Sequence, residues 1–282
     1  FTNPDNIFND RLIFSKGHAT PLYYAMFAAM GAISTKDLDS YRKFGSNLEG
    51  HPTPNFKYAE AATGSLGQGL SVGVGLALAL RFQVSGFRFQ KKNKVISSVN
   101  LKPITYNLPP IVYVLLGDGE MAEGNVWEAA NIASYYHLNN LVAILDINRL
   151  GQSQETSLGW DVHKYSDRFR SFGWETVEID GHNFTQIADA LAQKSDKPLA
   201  IIAKTIKGRG ISFLENKDGW HGKPVPPDML EKALQELGEV NLDLRVKVQI
   251  PNYIKLKTQN SPPKAYQPLA EKLKTTSQNL KL

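Results

Sequence analysis

Residues 111–148 read IVYVLLGDGEMAEGNVWEAANIASYYHLNNLVAILDIN. The first six, IVYVLL, are an unbroken apolar run, the pattern of a strand buried on both faces. A Gly117-Asp118-Gly119 turn follows, then a helical pattern with Val126, Ala129, Ala130 and Ala133 on one face. Residues 141–145 (LVAIL) repeat the buried-strand pattern, and Asn148 lies just beyond them. Two parallel strands joined by a crossover helix end on the same edge of a sheet. Asp118 and Asn148 are therefore predicted to converge on that edge, where open α/β sheets bind ligands.

Outward from this unit the alternation continues. Residues 176–179 and 199–203 (LAIIA) read as two more strands, and residues 184–194 carry helical periodicity through Ile187, Ala190 and Leu191. The predicted fold is α/β, a doubly wound, mostly parallel sheet flanked by helices. Upstream, the N-terminal part reads as mostly helical. Thr20 is placed to cap a helix with Pro21 at its first position, and Ser34 with Asp37 resembles a capping box. A helix is predicted over residues 70–82. A last helix should start after Pro226-Pro227, capped by Asp228, with Met229, Leu230, Ala233, Leu234 and Leu237 as its apolar face.

Two stretches break the pattern. Residues 83–110 hold five basic residues and no acid, with little periodicity, and so read as an atypical insertion, of lineage or retained-intron origin. Residues 239–282 read as a basic, proline-containing linker or tail, which leaves residues 1–238 as the folded domain. Phe1 in place of a methionine predicts further residues upstream.

Composition narrows the function classes. At 282 residues, 42% hydrophobic and 21% charged, the chain can bury a core without staples. It has no cysteine, which excludes disulfides, thiolate metal sites and cysteine nucleophiles. The net charge of +5 comes from the tail: residues 245–282 hold eight basic residues and one acid, leaving 24 basic and 26 acidic residues in 1–244. The body therefore carries no basic footprint for nucleic acid. The longest apolar run, LSVGVGLALAL at 70–80, is too short to span a bilayer. A cytoplasmic location is the default expectation, with an organelle open.

Three signals carry chemistry. A carboxylate at Asp118 and an amide oxygen at Asn148 are hard ligands suited to Mg²⁺ or Ca²⁺, with positions left for phosphate oxygens. The alternative is an ordinary strand-to-helix turn with an acidic cap, but the placement of the second ligand favours a site. Second, Thr63-Gly64-Ser65-Leu66-Gly67-Gln68-Gly69 opens a helix, which suits either an anion at the helix N-terminus or close helix packing. Third, His18, His51 and His221 each stand next to a glycine in a predicted loop or helix start, where functional groups concentrate. His137, His163 and, less firmly, His182 read as ordinary solvated or structural histidines.

SKGHA (15–19), GHP (50–52), TGSLGQG (63–69), GDGEMAEGNVWEA (117–129), LVAILDINRLGQS (141–153), AIIAKTIKGRGISF (200–213) and WHGKP (220–224) together resemble transketolase, in its N-terminal diphosphate-binding domain. The resemblance implies the thiamine-diphosphate-binding fold and transfer of a two-carbon ketol unit between sugar phosphates, as in the pentose phosphate pathway. It implies thiamine diphosphate and Mg²⁺ as cofactors. Asp118, Asn148 and the Leu150 carbonyl would hold the metal. Gly64, Leu66, Gly119, Lys207 and His221 would contact the cofactor. His18, His51 and His221 would line the channel and shuttle protons, with His18, His51 and Lys223 on the substrate. Glu123 would lie at a subunit interface beside a partner's activating glutamate.

The resemblance also marks what these residues do not include. A Ser-Gly-His-Pro histidine would lie upstream of Phe1. The activating glutamate belongs to a pyrimidine-binding domain or partner subunit. The chain alone is thus expected to turn over negligibly, and to work as a dimer or larger assembly. A related synthase, such as dihydroxyacetone synthase, and a non-catalytic or fragmentary relative are the alternatives.

Overall fold

A computed structural model describes residue 6, residues 9–85 and residues 109–238. All of them fall in the compact unit Phe1–Arg245. Most of the 83–110 stretch and the whole 239–282 tail lie outside the described residues.

Five strands form one sheet: β1 (Arg11–Phe14), β2 (Val112–Gly117), β3 (Leu141–Ile147), β4 (Glu175–Asp180) and β5 (Leu199–Lys204). Their order is β1-β2-β3-β5-β4 and every pairing is parallel. The chain steps outward from β2 to β3 to β4, then turns back to place β5 between β3 and β4. Right-handed crossovers put the helices before and after such a reversal on opposite faces. Accordingly α3 (Gly124–Tyr135) and α4 (Val162–Ser171) share a core with Val114, Leu116, Ala143, Leu145 and Ile202, whereas Ala190 of α5 (Phe184–Ala192) packs with Val142, Ile179 and Ile201.

The first face is sealed. Val112, Val114, Leu116, Ala143 and Leu145 are fully buried against α2 (Gln68–Ser85) and α3, whose Val126, Ala129, Ala130 and Ala133 are the residues the periodicity selected. Burying side chains of this kind contributes about 1.5–3 kcal/mol each, before conformational entropy is subtracted. On the second face Tyr113, Leu115 and Ile144 stay half-buried. An aromatic cluster of Phe14, Tyr23, Tyr24, Phe27 and Phe56 covers its β1 end, under α1 (Thr20–Ala29).

Several expectations need correction. The N-terminal part contains the edge strand β1. Residues 83–85 continue α2 rather than beginning a loop. Thr20 does not cap α1: it lies inside the helix, buried, with its hydroxyl on the Gly50 carbonyl at 2.9 Å and beside the Tyr41 hydroxyl. The Ser34–Asp37 capping box forms as read, on a short 3₁₀ turn. In α6 (Pro227–Leu237) the cap position is Pro226, and Asp228 sits within the first turn. Of its apolar face only Ala233 is buried, whereas Leu230, Leu234 and Leu237 are exposed.

Candidate functional site

A cavity of about 880 Å³ runs along the C-terminal edge of the sheet. Register brings its parts together: Gly117 of β2 lies opposite Asp146 of β3, and Ile147 opposite Lys204 of β5. Asp118, one residue past β2, and Asn148, one past β3, both line the cavity and are both buried. The Gly119 N–H donates to Asp118 Oδ1 at 2.9 Å. Beyond Asn148 the chain turns through Arg149 at φ 64°, so that the Leu150 N–H donates to Asn148 Oδ1 at 3.1 Å.

Burial pushes the Asp118 carboxyl above the usual carboxylate range, and the charge of Asp146 adds to this, against a downward pull from Lys16. Lys16 is itself committed to Asp146, with which it forms an ion pair. Burial alone would raise Asp146, but the charge of Lys16 and hydrogen bonds from Lys16, Thr205 and Asn148 hold it below the usual range. Asp118 is therefore a buried carboxylate whose negative form lacks a full counter-charge.

Glu120 lies behind this edge, 1% exposed. Its Oε1 accepts from the Ser15 hydroxyl at 2.6 Å and the Gly67 N–H at 2.9 Å, and its Oε2 from the Gly117 N–H at 2.8 Å. One carboxylate thus ties together the chain after β1, the glycine-rich turn and the end of β2. At a neighbouring crossing, a Cβ on Gly17 would lie 2.7 Å from the Gly64 nitrogen, so these two loops meet backbone to backbone.

The other end of the cavity is cationic. The rings of His18 and His221 lie 4.5 Å apart, and a Lys207 ammonium reaches His221 Nδ1 at 3.2 Å. His51 lies against the glycine-rich turn: a Cβ on Gly64 would fall 2.5 Å from its Cδ2. His18 is exposed as a whole residue. Partial loss of water round its ring, then the charges of Lys16, His221, Lys207 and His51, push its pKa down to about 4. Partial burial, followed by neighbouring cations, also lowers His221 and Lys207. Neutral imidazoles beside a crowded ammonium suit proton transfer and the reception of an anion.

The family model for the transketolase thiamine diphosphate binding domain matches residues 1–279. The chain belongs to the transketolase family. It is 46% identical to a transketolase of Pongo abelii and 45% identical to one of Homo sapiens, each over 235 residues. Those residues are 83% of this chain and 34% of each relative, so the chain spans about a third of their length. It is also 35% identical to one of the subunits of the apulose-4-phosphate transketolase of Phocaeicola vulgatus, over 84% of this chain and 77% of that protein. Among solved structures, the Campylobacter jejuni transketolase superposes with a TM-score of 0.72 at 33% identity, covering 90% of this chain and 38% of that one. The Pichia stipitis transketolase in complex with sedoheptulose 7-phosphate gives 0.70 at 30%, covering 98% and 39%.

The donor set fits a transketolase cofactor site. No cluster of three or more His, Cys, Asp or Glu side chains able to hold a metal occurs among the described residues. One under-compensated carboxylate, one amide oxygen and the lining residue Leu150 instead suit a hard cation that shares its remaining positions with a diphosphate. Gly64, Leu66, Gly119, Lys207, His18, His51 and His221 all line the same cavity. Lys223 is exposed and does not line it, and Glu123 stands beside the glycine-rich turn at the start of α3, also outside it. His137 and His163 lie elsewhere, the latter paired with Glu178 at 2.7 Å. His182, expected to be a solvated or structural histidine, also lines the cavity. Sequence patterning did not single out Lys16, Asp146, Glu120 and Thr205. A lone acid ending an apolar strand run, LVAILDI, was the one local signal for Asp146. Among the described residues, no helix is long and apolar enough to cross a membrane.

Proposed function

We propose that this chain is the diphosphate-binding part of a transketolase. With Mg²⁺ it binds thiamine diphosphate along the C-terminal edge of its sheet. Joined by a pyrimidine-binding domain or subunit that carries the activating glutamate, it transfers a two-carbon ketol unit from a ketose phosphate to an aldose phosphate. The carrying observation is Asp118, buried and under-compensated just past the end of β2, with Asn148 just past the end of the neighbouring β3.

Thiamine diphosphate, when bound, supplies the carbon nucleophile of ketol transfer. The chain's residues do the rest on this side of the site. Asp118, Asn148 and the Leu150 carbonyl hold the cation, and Gly119 lets backbone approach the diphosphate. Gly64 and Leu66 shape the wall beside it. Lys207 offsets phosphate charge and, by donating to His221 Nδ1, leaves the proton of the neutral His221 ring on Nε2. His18, which partial burial and then its neighbours keep neutral, gives or takes a hydrogen bond from a sugar hydroxyl. Lys223 meets substrate phosphate only if its loop moves inward, and Glu123 contacts the partner rather than the cavity.

The likeness to a single subunit of the apulose-4-phosphate transketolase supports a second form of this reading, in which the chain pairs with a separate subunit. The test joins the chain to a transketolase pyrimidine-binding half and follows ketol transfer with sugar-phosphate acceptors and with formaldehyde. Transfer to the aldose phosphate that falls at least a hundredfold in Asp118→Ala supports the proposal. Undiminished transfer in that variant would refute it, and a preference for formaldehyde would indicate a dihydroxyacetone synthase.

A further inference from the structure

Asp180-Gly181-His182-Asn183 joins β4 to α5 and presses against the turn at residues 205–207 that follows β5. The approach is close because Gly181 has no side chain: a Cβ there would lie 2.5 Å from Thr205 Cγ2 and 3.1 Å from the Lys204 carbonyl. His182, next along, reaches across, and its Nε2 accepts the Ile206 N–H at 2.8 Å. That nitrogen must then be unprotonated, with the ring proton on Nδ1. The loop behind the imidazole is fixed. The Asn183 side chain caps α5 by accepting from the Thr185 and Gln186 N–H groups, Gln186 accepts the Asp180 N–H at 2.8 Å, and Asp180 accepts the His182 N–H at 2.9 Å.

The turn that receives this bond carries Lys207. Other bonds hold its backbone on either side of Ile206: the Thr205 N–H donates to the Ile147 carbonyl, the Thr205 carbonyl accepts from Trp160 Nε1, and the Lys207 carbonyl accepts from the Asn216 N–H. The Ile206 N–H is thus a second point, after the Thr205 carbonyl, at which a side chain from another segment fixes the turn, and it lies one residue before the lysine whose ammonium reaches His221.

We propose that His182 is a positioning residue: through Ile206 it sets the place of Lys207, and so the strength with which the site holds the diphosphate of its cofactor. This rests on the function proposed above. An unpaired N–H costs a turn more than a lost bond gains elsewhere, so the effect should depend on the acceptor and not on the ring.

The test titrates thiamine diphosphate with Mg²⁺ into the chain joined to a transketolase pyrimidine-binding half. His182→Leu, which removes the acceptor, is expected to weaken binding about tenfold. His182→Gln, which offers an amide oxygen to the same N–H, should stay within about twofold of wild type. Lys207→Met should weaken binding on its own, and His182→Leu combined with Lys207→Met should add nothing further. In the full chain without cofactor, a through-bond nitrogen–nitrogen coupling between Ile206 N and His182 Nε2 should be measurable. Wild-type binding by His182→Leu, equal loss in the leucine and glutamine variants, additive losses in the double variant, or absence of the coupling would each overturn this inference alone. Failure of the wild type to bind the cofactor would overturn the proposed function and this inference with it.

Discussion

At one end of the cavity Asp118, Asn148 and Glu120 are buried, and backbone N–H groups bond to each of them. At the other, His18 and His51 are exposed, and the neighbours that act on His18 are two lysines and two histidines. Residues of this chain complete the first end: three segments distant in sequence are bonded to Glu120 alone. The second is open, a concentration of positive charge and neutral imidazole facing outward. The difference teaches which part of the chemistry this domain can organise by itself. On the function proposed above, the buried residues that would hold a cation all belong to this chain, whereas the exposed histidines would need another surface to close round a substrate.

Glu120→Ala tests that contrast with the largest expected effect. It strands the Ser15 hydroxyl and the Gly67 and Gly117 N–H groups in a buried place, at about 1–3 kcal/mol for each donor left unpaired. Chemical denaturation should show a loss of about 3 kcal/mol or more, whereas His51→Ala at the open end should stay within about 0.5 kcal/mol. Equal losses would erase the distinction between the two ends. Gly17→Ala comes next. Its Cβ meets Gly64 backbone, which cannot rotate away as a side chain would, and overpacking of this kind costs about 1–3 kcal/mol. A thermal melt unchanged by Gly17→Ala would mean that the two loops are not held together.

The smallest effect concerns protonation at the open end. Folded His18 takes up its proton near pH 4, against 6.5 for the unperturbed group. Between those values the unfolded chain binds more protons, so the stability contributed by neutral His18 is present above about pH 6.5 and declines as pH falls toward 4. Histidine NMR titration should give a His18 midpoint near 4, moving upward in Lys16→Met. A midpoint near 6.5 in the wild type would show that neither loss of water nor the neighbouring cations act on the ring.

Much of this was legible in the sequence, for identifiable reasons. Strands β2, β3 and β5 announce themselves as continuous apolar runs, although Tyr113 and Leu115 leave the second face of β2 half-buried rather than buried as the run suggests. The convergence of Asp118 and Asn148 follows from parallel connectivity, before any side chain is placed. Strand β1 escaped because four residues at a sheet edge, Arg11–Phe14, carry too little pattern to separate from a loop without the partner strand. Thr20 fits the cap consensus, yet tertiary bonds to Gly50 and Tyr41 outweigh a local cap. The α6 periodicity gave the helix correctly, but periodicity says nothing of what covers a face, and Leu230, Leu234 and Leu237 are exposed. Lys16, Asp146 and Glu120 were missed because each acts through partners 50 to 130 residues away, which no local spacing encodes.

The central claim is that this sheet edge holds a cation-bridged diphosphate. Calorimetric titration of thiamine diphosphate into the chain joined to a pyrimidine-binding half, with Mg²⁺ and then with the metal chelated, tests it most directly. The account predicts saturable binding that needs the metal and that Asp118→Ala abolishes even at high Mg²⁺. Binding that persists without metal, or that survives the loss of Asp118, would contradict it.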